Sequence, residues 1–157
     1  MKKLVHPLVA LMILALGAFI ASPAQAKVYM PATGATFNDP NGVYASPTAL
    51  MDQIIEAIDN VPAGSIIRIV AYSFDYDPVA KALIRAHDKG VQVRLLIDSH
   101  AETKQIKDLR SALGTGTSDG SYLRTCKYSC MANKASFIHS KLYLFSQTGG
   151  AKYVSMN

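Results

Sequence analysis

Cysteine is scarce in this chain, and the scarcity argues against a structural metal site. Cys126 and Cys130 are the only two cysteines, and no histidine stands near them at the spacing of zinc ligands. In a chain that is exported, a C-x3-C pair is most simply a disulfide that closes a small loop. We therefore expect a bond between Cys126 and Cys130 and no metal ion.

Long apolar runs are absent after residue 20, so only the amino terminus could cross a membrane. Lys2 and Lys3 precede an apolar run over residues 8–20, and Ala24-Gln25-Ala26 follows as a small-residue cleavage signal. This pattern is typical of a bacterial secretory signal peptide, and the run is shorter than the about 20 residues of a spanning helix. Residues 1–26 are therefore predicted to be removed, and an uncleaved anchor is the alternative. The remaining residues 27–157 are one domain in size, secreted or periplasmic.

Neither sign of charge dominates strongly. Sixteen Lys and Arg residues face eleven acidic ones, a net charge of +5, and removal of Lys2 and Lys3 leaves +3. Such a balance favours anionic partners, either phospholipid head groups or nucleic acid. It does not choose between them.

Internal repeats, linkers and low-complexity segments are also absent, and what remains is an alternation of helix and strand patterns. Helices are predicted over residues 47–61, 77–89 and 101–113, and strands over 65–74, 91–97, 121–125 and 137–145. A β-α-β order implies parallel strands joined by a right-handed crossover. The predicted fold class is α/β, a mixed, largely parallel β-sheet flanked by helices.

Polar residues that follow predicted strands are candidates for a cleft, because ligands of such sheets lie beyond the carboxyl ends of the strands. Asp98 and His100 follow one strand, although a loop Asp and a surface His are the simpler interpretation. Tyr72 and Phe74 could wall a pocket, and core packing is favoured for both. His87 lies among charged residues of a helix and is expected to be solvated.

The strongest functional signal is the pair His139 and Lys141 in the predicted strand 137–145. Side chains at i and i+2 of a strand project from the same face, so imidazole and ammonium would stand side by side. A neutral imidazole can act as nucleophile or general base, and a lysine supplies positive charge for phosphate oxygens. The pair indicates phosphoryl chemistry, and the alternative is an exposed strand face with two solvated side chains.

The order and spacing of these elements resemble the phospholipase D superfamily and its His-x-Lys-x4-Asp signature. The strand Ile-Arg-Ile-Val-Ala-Tyr-Ser-Phe, the helix after it, the strand Gly-Val-Gln-Val-Arg-Leu-Leu-Ile-Asp and the His-x-Lys motif carry the likeness, closest to secreted bacterial members. The resemblance implies a phospholipase D-type α/β sandwich and a phosphodiesterase that needs no cofactor. It implies that His139 forms a phosphohistidine or protonates the leaving oxygen, and that Lys141 binds nonbridging phosphate oxygens.

Two such motifs face each other in one active site of this family, and this chain has one. The resemblance therefore implies a partner motif, either from a missing carboxyl-terminal half or from a second copy in a homodimer. Ser146 occupies the family's acidic position, which would leave His139 without its usual orienting carboxylate. Asn157 could fill the place of the family's phosphate-binding Asn. The chain is expected to be an amino-terminal half that ends inside a strand.

These features predict hydrolysis of phosphodiester bonds, with phospholipid as the leading substrate. The alternative is a nuclease that acts as a homodimer, its single motif pairing with that of its twin. A noncatalytic, phosphate-binding half-domain is a third interpretation, because Ser146 replaces the acidic residue of the family motif.

Overall fold

The computed structural model describes residues 27–39, 41, 47–100, 102–118, 120–131 and 135–157. The predicted signal peptide and Ser46, the predicted cap of the first helix, lie outside the described residues. The elements in chain order are α1 (Ala49–Asp59), β1 (Ile66–Ala71), α2 (Asp77–Asp88), β2 (Gln92–Asp98), α3 (Lys104–Leu113), β3 (Tyr122–Cys126), a short 3-10 turn (Lys127–Cys130), β4 (Lys141–Thr148) and β5 (Ala151–Met156).

The five strands form one mixed sheet in the order β3-β2-β1-β4-β5. β1, β2 and β3 are parallel, whereas β4 is antiparallel to β1 and to β5. The α/β prediction is confirmed. The crossovers from β1 to β2 and from β2 to β3 each contain a helix, as parallel pairs require.

β4 runs antiparallel because no helical crossover precedes it. β3 ends at Cys126, beside Asp98 at the carboxyl end of β2. β4 starts beside the carboxyl end of β1, where Lys141 pairs with Ala71. The segment between β3 and β4 therefore begins and ends at the same edge of the sheet, which we call the carboxyl edge. A strand that starts at this edge must run back against β1, and so its first residues lie where ligands of α/β sheets bind.

The core lies between one face of the sheet and the described helices. Alternate residues of β1 and β2 are buried with side chains of all three helices in one cluster, whose members include Ile54, Ile67, Ile69, Leu83, Val93, Leu95, Ile97, Leu109 and Phe145. The intervening strand residues are half-buried or exposed, as in Arg68 and Arg94. Consecutive right-handed crossovers in one direction place their helices on the same face, which explains this arrangement.

The helix starts agree with local sequence signals. α2 begins with Pro78 in its first turn, where a missing N–H is tolerated. α3 begins at Lys104, later than predicted, because the Thr103 side chain accepts a hydrogen bond from the Ile106 N–H at 3.2 Å and caps the helix there. α1 begins two residues after Pro47, with Thr48 as its cap residue.

The turn between β4 and β5 needs glycine. Gly149 has a φ of 51°, and a Cβ at this position would lie 2.1 Å from the backbone oxygen of Tyr29. The Gly150 N–H donates to the same Tyr29 oxygen at 2.9 Å. These contacts bind the amino-terminal segment to the sheet at the edge opposite to the carboxyl edge.

Candidate active site at the carboxyl edge

His139 and Lys141 lie together at the carboxyl edge, and both are exposed. The Nζ of Lys141 donates a hydrogen bond to the backbone oxygen of His139 at 3.1 Å. The Nζ also lies 5.5 Å from the centre of the Tyr72 ring. The His139 ring meets the same Tyr72 ring edge-on, at 5.4 Å between centres. An imidazole and an ammonium therefore share one aromatic neighbour.

The predicted strand 137–145 was wrong in its boundaries. β4 begins at Lys141 and continues to Thr148, so His139 precedes the strand. The first backbone contact toward β1 is the Tyr72 N–H, which donates to the Ser140 oxygen at 3.0 Å. The alternation of a strand therefore does not account for the direction of the His139 side chain.

Asp98, the last residue of β2, contacts the residue before His139. Its Oδ2 accepts a hydrogen bond from the Ile138 N–H at 2.7 Å, and its Oδ1 accepts one from the His100 N–H at 3.0 Å. Nδ1 of His100 lies 3.2 Å from the same Oδ1. Asp98 is only 4% exposed, so the simpler interpretation of a loop residue is wrong. Burial alone would raise the pKa of Asp98, but the hydrogen bonds from Ile138 and His100 outweigh it and lower this pKa.

Tyr72 connects the groups of the site. Its ring stacks on His100 with 3.7 Å between centres and 8° between planes. The Phe137 ring lies 5.7 Å away and edge-on. Tyr72 is half-buried at this surface rather than in the core, whereas Phe74 is 4% exposed and packs in the core as expected.

Ser146 lies far from His139. The expectation that a serine at position 146 deprives His139 of an orienting carboxylate therefore does not apply to this geometry. The Oγ of Ser146 accepts a hydrogen bond from the Ile66 N–H at 2.9 Å, at the amino-terminal end of β1. The five residues from Lys141 to Ser146 span about 16 Å of extended strand. A carboxylate at position 146 would therefore not reach His139, and Asp98 occupies the neighbourhood of the histidine instead.

Asn157 is placed at the same edge as Lys141. It directly follows Met156, which pairs with Tyr143 near the start of β4. Because β5 runs antiparallel to β4, its carboxyl end returns to the carboxyl edge. The topology therefore brings Asn157 toward the site, although it follows His139 by eighteen residues.

The structure also separates a second His-x-Lys triplet from the site. The sequence prediction missed that His87 and Lys89 repeat the spacing of His139 and Lys141. The His87 side chain is half-buried and lies within hydrogen-bond distance of the Ser121 hydroxyl, 3.1 Å, so it is less solvated than predicted. Lys89 donates to the Asp59 backbone oxygen at 2.9 Å. This triplet ends α2, just before β2 begins, and so lies at the edge opposite to the carboxyl edge.

The predicted disulfide between Cys126 and Cys130 is present, and it borders the site. Cys126 ends β3, and its backbone oxygen accepts a hydrogen bond from the Ser99 N–H at 3.0 Å. Tyr128, Ser129 and Cys130 all have positive φ, between 52° and 59°. The bond therefore closes a tight loop at the start of the segment that leads to His139.

Two cavities flank this region of the fold. One of about 120 Å³ adjoins Lys141, with Phe74, Tyr76 and Tyr143 among its lining. A larger one of about 630 Å³ lies between the amino-terminal segment and α1 and contains neither His139 nor Lys141. The smaller cavity is lined by Lys141 but not by His139, so we place the candidate site at the edge where these two residues lie and not within either cavity. Within the described ranges, no group of three or more His, Cys, Asp or Glu could hold a metal ion, and no helix has the length and apolar character to span a membrane.

The chain is similar to several solved structures. A phospholipase D family member, Nuc from Salmonella typhimurium, is 26% identical over 60% of this chain and 55% of its own, with a TM-score of 0.45. NucT from Helicobacter pylori is 19% identical over 60% of this chain and 58% of its own, with a TM-score of 0.47. Polyphosphate kinase from Porphyromonas gingivalis is 14% identical over 71% of this chain and 18% of its own, at 0.42. The chain thus spans little more than half the length of the first two.

No curated protein matches the chain significantly. The family model described as "Cardiolipin synthase, PLD-like domain" matches residues 54–157, which include every strand and both residues of the His139 motif. That match covers well over half of the chain, and so the chain belongs to the phospholipase D-like family, a superfamily of phosphodiesterases.

Proposed function

We propose that this protein hydrolyses phosphodiester bonds through a phosphohistidine at His139, with phospholipid as the leading substrate. The observation that carries the proposal is the Lys141–His139 hydrogen bond of 3.1 Å at the carboxyl edge of a phospholipase D-like domain. It holds a fixed positive charge beside an exposed imidazole. A phosphate bound by the Lys141 ammonium would meet the His139 ring.

In the proposed first step, a ring nitrogen of neutral His139 forms a bond to phosphorus. The bond from phosphorus to the leaving oxygen breaks, and that oxygen takes a proton from a second histidine. In the second step water attacks the phosphohistidine, gives its proton to the second histidine, and the nitrogen–phosphorus bond breaks. Lys141 stabilises the nonbridging oxygens, whose negative charge grows in both transition states. The His139 motif supplies one of the two histidines.

The second histidine is proposed to come from another His-x-Lys motif. It would belong either to a carboxyl-terminal half of a longer protein or to a second copy in a homodimer. His87 does not qualify, because it lies at the opposite edge and contacts Ser121. The proposed location is outside the cytoplasm, secreted or periplasmic, on the signal-peptide pattern of residues 1–26.

Two observations bear on the substrate. The matched family model is described by the name of an enzyme of cardiolipin, a phospholipid. The apolar ring of Phe137, which contacts the rings of Tyr72 and His139, is 57% exposed. Exposed apolar side chains at a catalytic surface suit contact with a lipid interface. The stacked rings of Tyr72 and His100 support nucleic acid as the second candidate, since bases stack on such rings.

A side-by-side assay separates these possibilities. The purified chain is incubated with phosphatidylethanolamine and phosphatidylglycerol vesicles, with plasmid DNA and with bis-4-nitrophenyl phosphate, each with EDTA present. We expect release of head group from the vesicles, no effect of EDTA, and no nicking of the plasmid. Nicking without head-group release would favour the nuclease. Phosphate binding with no turnover of any substrate in a demonstrated dimer would exclude the homodimer, and it would leave a partner motif in a carboxyl-terminal half or the noncatalytic interpretation.

A further inference from the structure

Asp98 is a buried carboxylate that the proposed mechanism does not use. It is 4% exposed, yet hydrogen bonds hold its pKa below the ordinary value, so it carries a negative charge in the interior. A buried charge is unfavourable unless hydrogen bonds compensate it. All of its hydrogen-bond donors in the described residues belong to Ile138 and His100, two residues that border the site.

The first branch runs through the backbone. Oδ2 of Asp98 accepts from the Ile138 N–H at 2.7 Å, across 40 residues of sequence. The Ile138 side chain is 8% exposed, while Phe137 and His139 on either side point to solvent. The residue before His139 is thus anchored by its side chain and by its N–H. The direction of the next side chain depends on both anchors.

The second branch runs through aromatic rings. Oδ1 of Asp98 accepts from the His100 N–H and lies 3.2 Å from its Nδ1. The His100 ring stacks on Tyr72, and the Tyr72 ring contacts both the His139 ring and the Lys141 ammonium. One carboxylate therefore supports the two groups of the site from two directions.

We propose that Asp98 is a positioning residue that fixes His139 for attack through Ile138, and the ring of Tyr72 through His100. The inference rests on the proposed function. It assigns to Asp98, at the end of β2, the orienting task that the position of Ser146 cannot perform. A nucleophile misplaced by about 1 Å loses about 100-fold in rate, so the anchor matters even though it does not touch the substrate.

The decisive variant is Asp98→Asn, which keeps the shape of the side chain and removes its charge. An amide has one acceptor oxygen, and its NH2 group would meet an N–H donor of either Ile138 or His100. One branch is therefore lost. Asp88→Asn is the matched control, because Asp88 is an exposed carboxylate at the far end of α2. Both variants are made in the full chain and compared at one protein concentration.

Three quantities are measured on each folded variant: kcat, KM for bis-4-nitrophenyl phosphate, and the ring nitrogen resonances of His139 by NMR. We expect Asp98→Asn to lower kcat by about 100-fold with little change of KM, and to shift the His139 resonances. Asp88→Asn should change none of them. A folded Asp98→Asn protein with wild-type kcat and wild-type His139 resonances would show that Asp98 only stabilises the fold.

His100→Ala decides the matter if Asp98→Asn does not fold. The His100 side chain is 31% exposed, so its removal leaves the core intact. It leaves Tyr72 without its stacked neighbour, and kcat should fall while the His139 resonances shift. A folded His100→Ala protein with both unchanged would overturn the inference. If the isolated wild-type chain cleaves no diester, the homodimer form of the proposed function fails, and the His139 resonances alone then judge the positioning role.

Discussion

The ammonium of Lys141 is hydrogen-bonded to the backbone oxygen of His139, 3.1 Å away, and among the described residues it has no carboxylate partner. A backbone oxygen carries no net charge, so an ammonium binds it less strongly than it binds an anionic phosphate oxygen. An incoming phosphate can therefore draw the exposed Lys141 side chain to itself. The bond to His139 keeps the ammonium within reach of the imidazole until then.

Replacement of His139 by Asn should remove turnover by several orders of magnitude and leave the fold intact, because the amide cannot attack phosphorus. As an exposed residue outside any strand, His139 should contribute only about 0.5 kcal/mol or less to the free energy of unfolding. Initial rates and urea unfolding measure the two effects. His87→Asn is the matched control from the other His-x-Lys triplet, and it should retain turnover. Undiminished rates in the His139 variant would show that the active site does not lie at the carboxyl edge.

Replacement of Lys141 by Ala should lower kcat by about 100-fold or more, because the nonbridging oxygens lose their positive partner in the transition state. Lys89→Ala is the control, since Lys89 binds the Asp59 backbone oxygen at the opposite edge. Steady-state rates of Lys141→Ala and Lys89→Ala, each compared with wild type, test this role. Equal rates for the two proteins would contradict a phosphate-binding role for Lys141.

Activity of the isolated chain should depend on its concentration. A second histidine must come from a second copy if the chain acts by itself, so specific activity should fall on dilution with the loss of dimer. Sedimentation velocity and initial rates over the same concentration range provide the comparison. Full specific activity in a demonstrated monomer would exclude a shared site.

The pair of Cys126 and Cys130 should resist alkylation in the exported protein, and reduction should add about two daltons to the intact mass. The closed loop is short, so loop-closure entropy gives only about 2 kcal/mol of stabilisation. Reduction should nevertheless loosen residues 128–130, whose left-handed backbone costs a non-glycine residue about 1 kcal/mol each. Two freely alkylated thiols in the native exported protein would contradict the bond.

Stability should fall in acid in a way that depends on Asp98. The pKa of Asp98 is lower in the folded protein than the ordinary value, so its contribution is fully present above the ordinary carboxyl pKa of about 3.9. The contribution is lost as the pH falls through the lower folded pKa. Urea unfolding from neutral pH to below pH of about 4 should show a smaller acid loss in Asp98→Asn than in wild type. Equal losses would mean that folding does not lower the pKa of Asp98.

Much of the fold could be predicted because its signals are local. Apolar residues at helical spacing mark α2 and α3, and short apolar runs mark β1 and β2, within a residue or a few of their observed ends. The disulfide could be predicted because Cys126 and Cys130 are only four positions apart. His139 and Lys141 could be selected as candidates because they are only two positions apart. Such patterns report which residues share a face, and they need no knowledge of distant contacts.

Other features were decided only by the tertiary structure. The bond from Asp98 to Ile138 joins residues 40 positions apart, and nothing in the local sequence of either residue marks it. The extended course of β4 separates Ser146 from His139, although both belong to one eight-residue stretch. The antiparallel course of β4 also places His139 and Lys141 at the carboxyl edge, whereas His87 and Lys89 lie at the opposite edge. Residue identity and spacing determined which groups could do chemistry here, and the order and direction of the strands determined which of them meet, because side chains from distant segments come together only when the sheet forms.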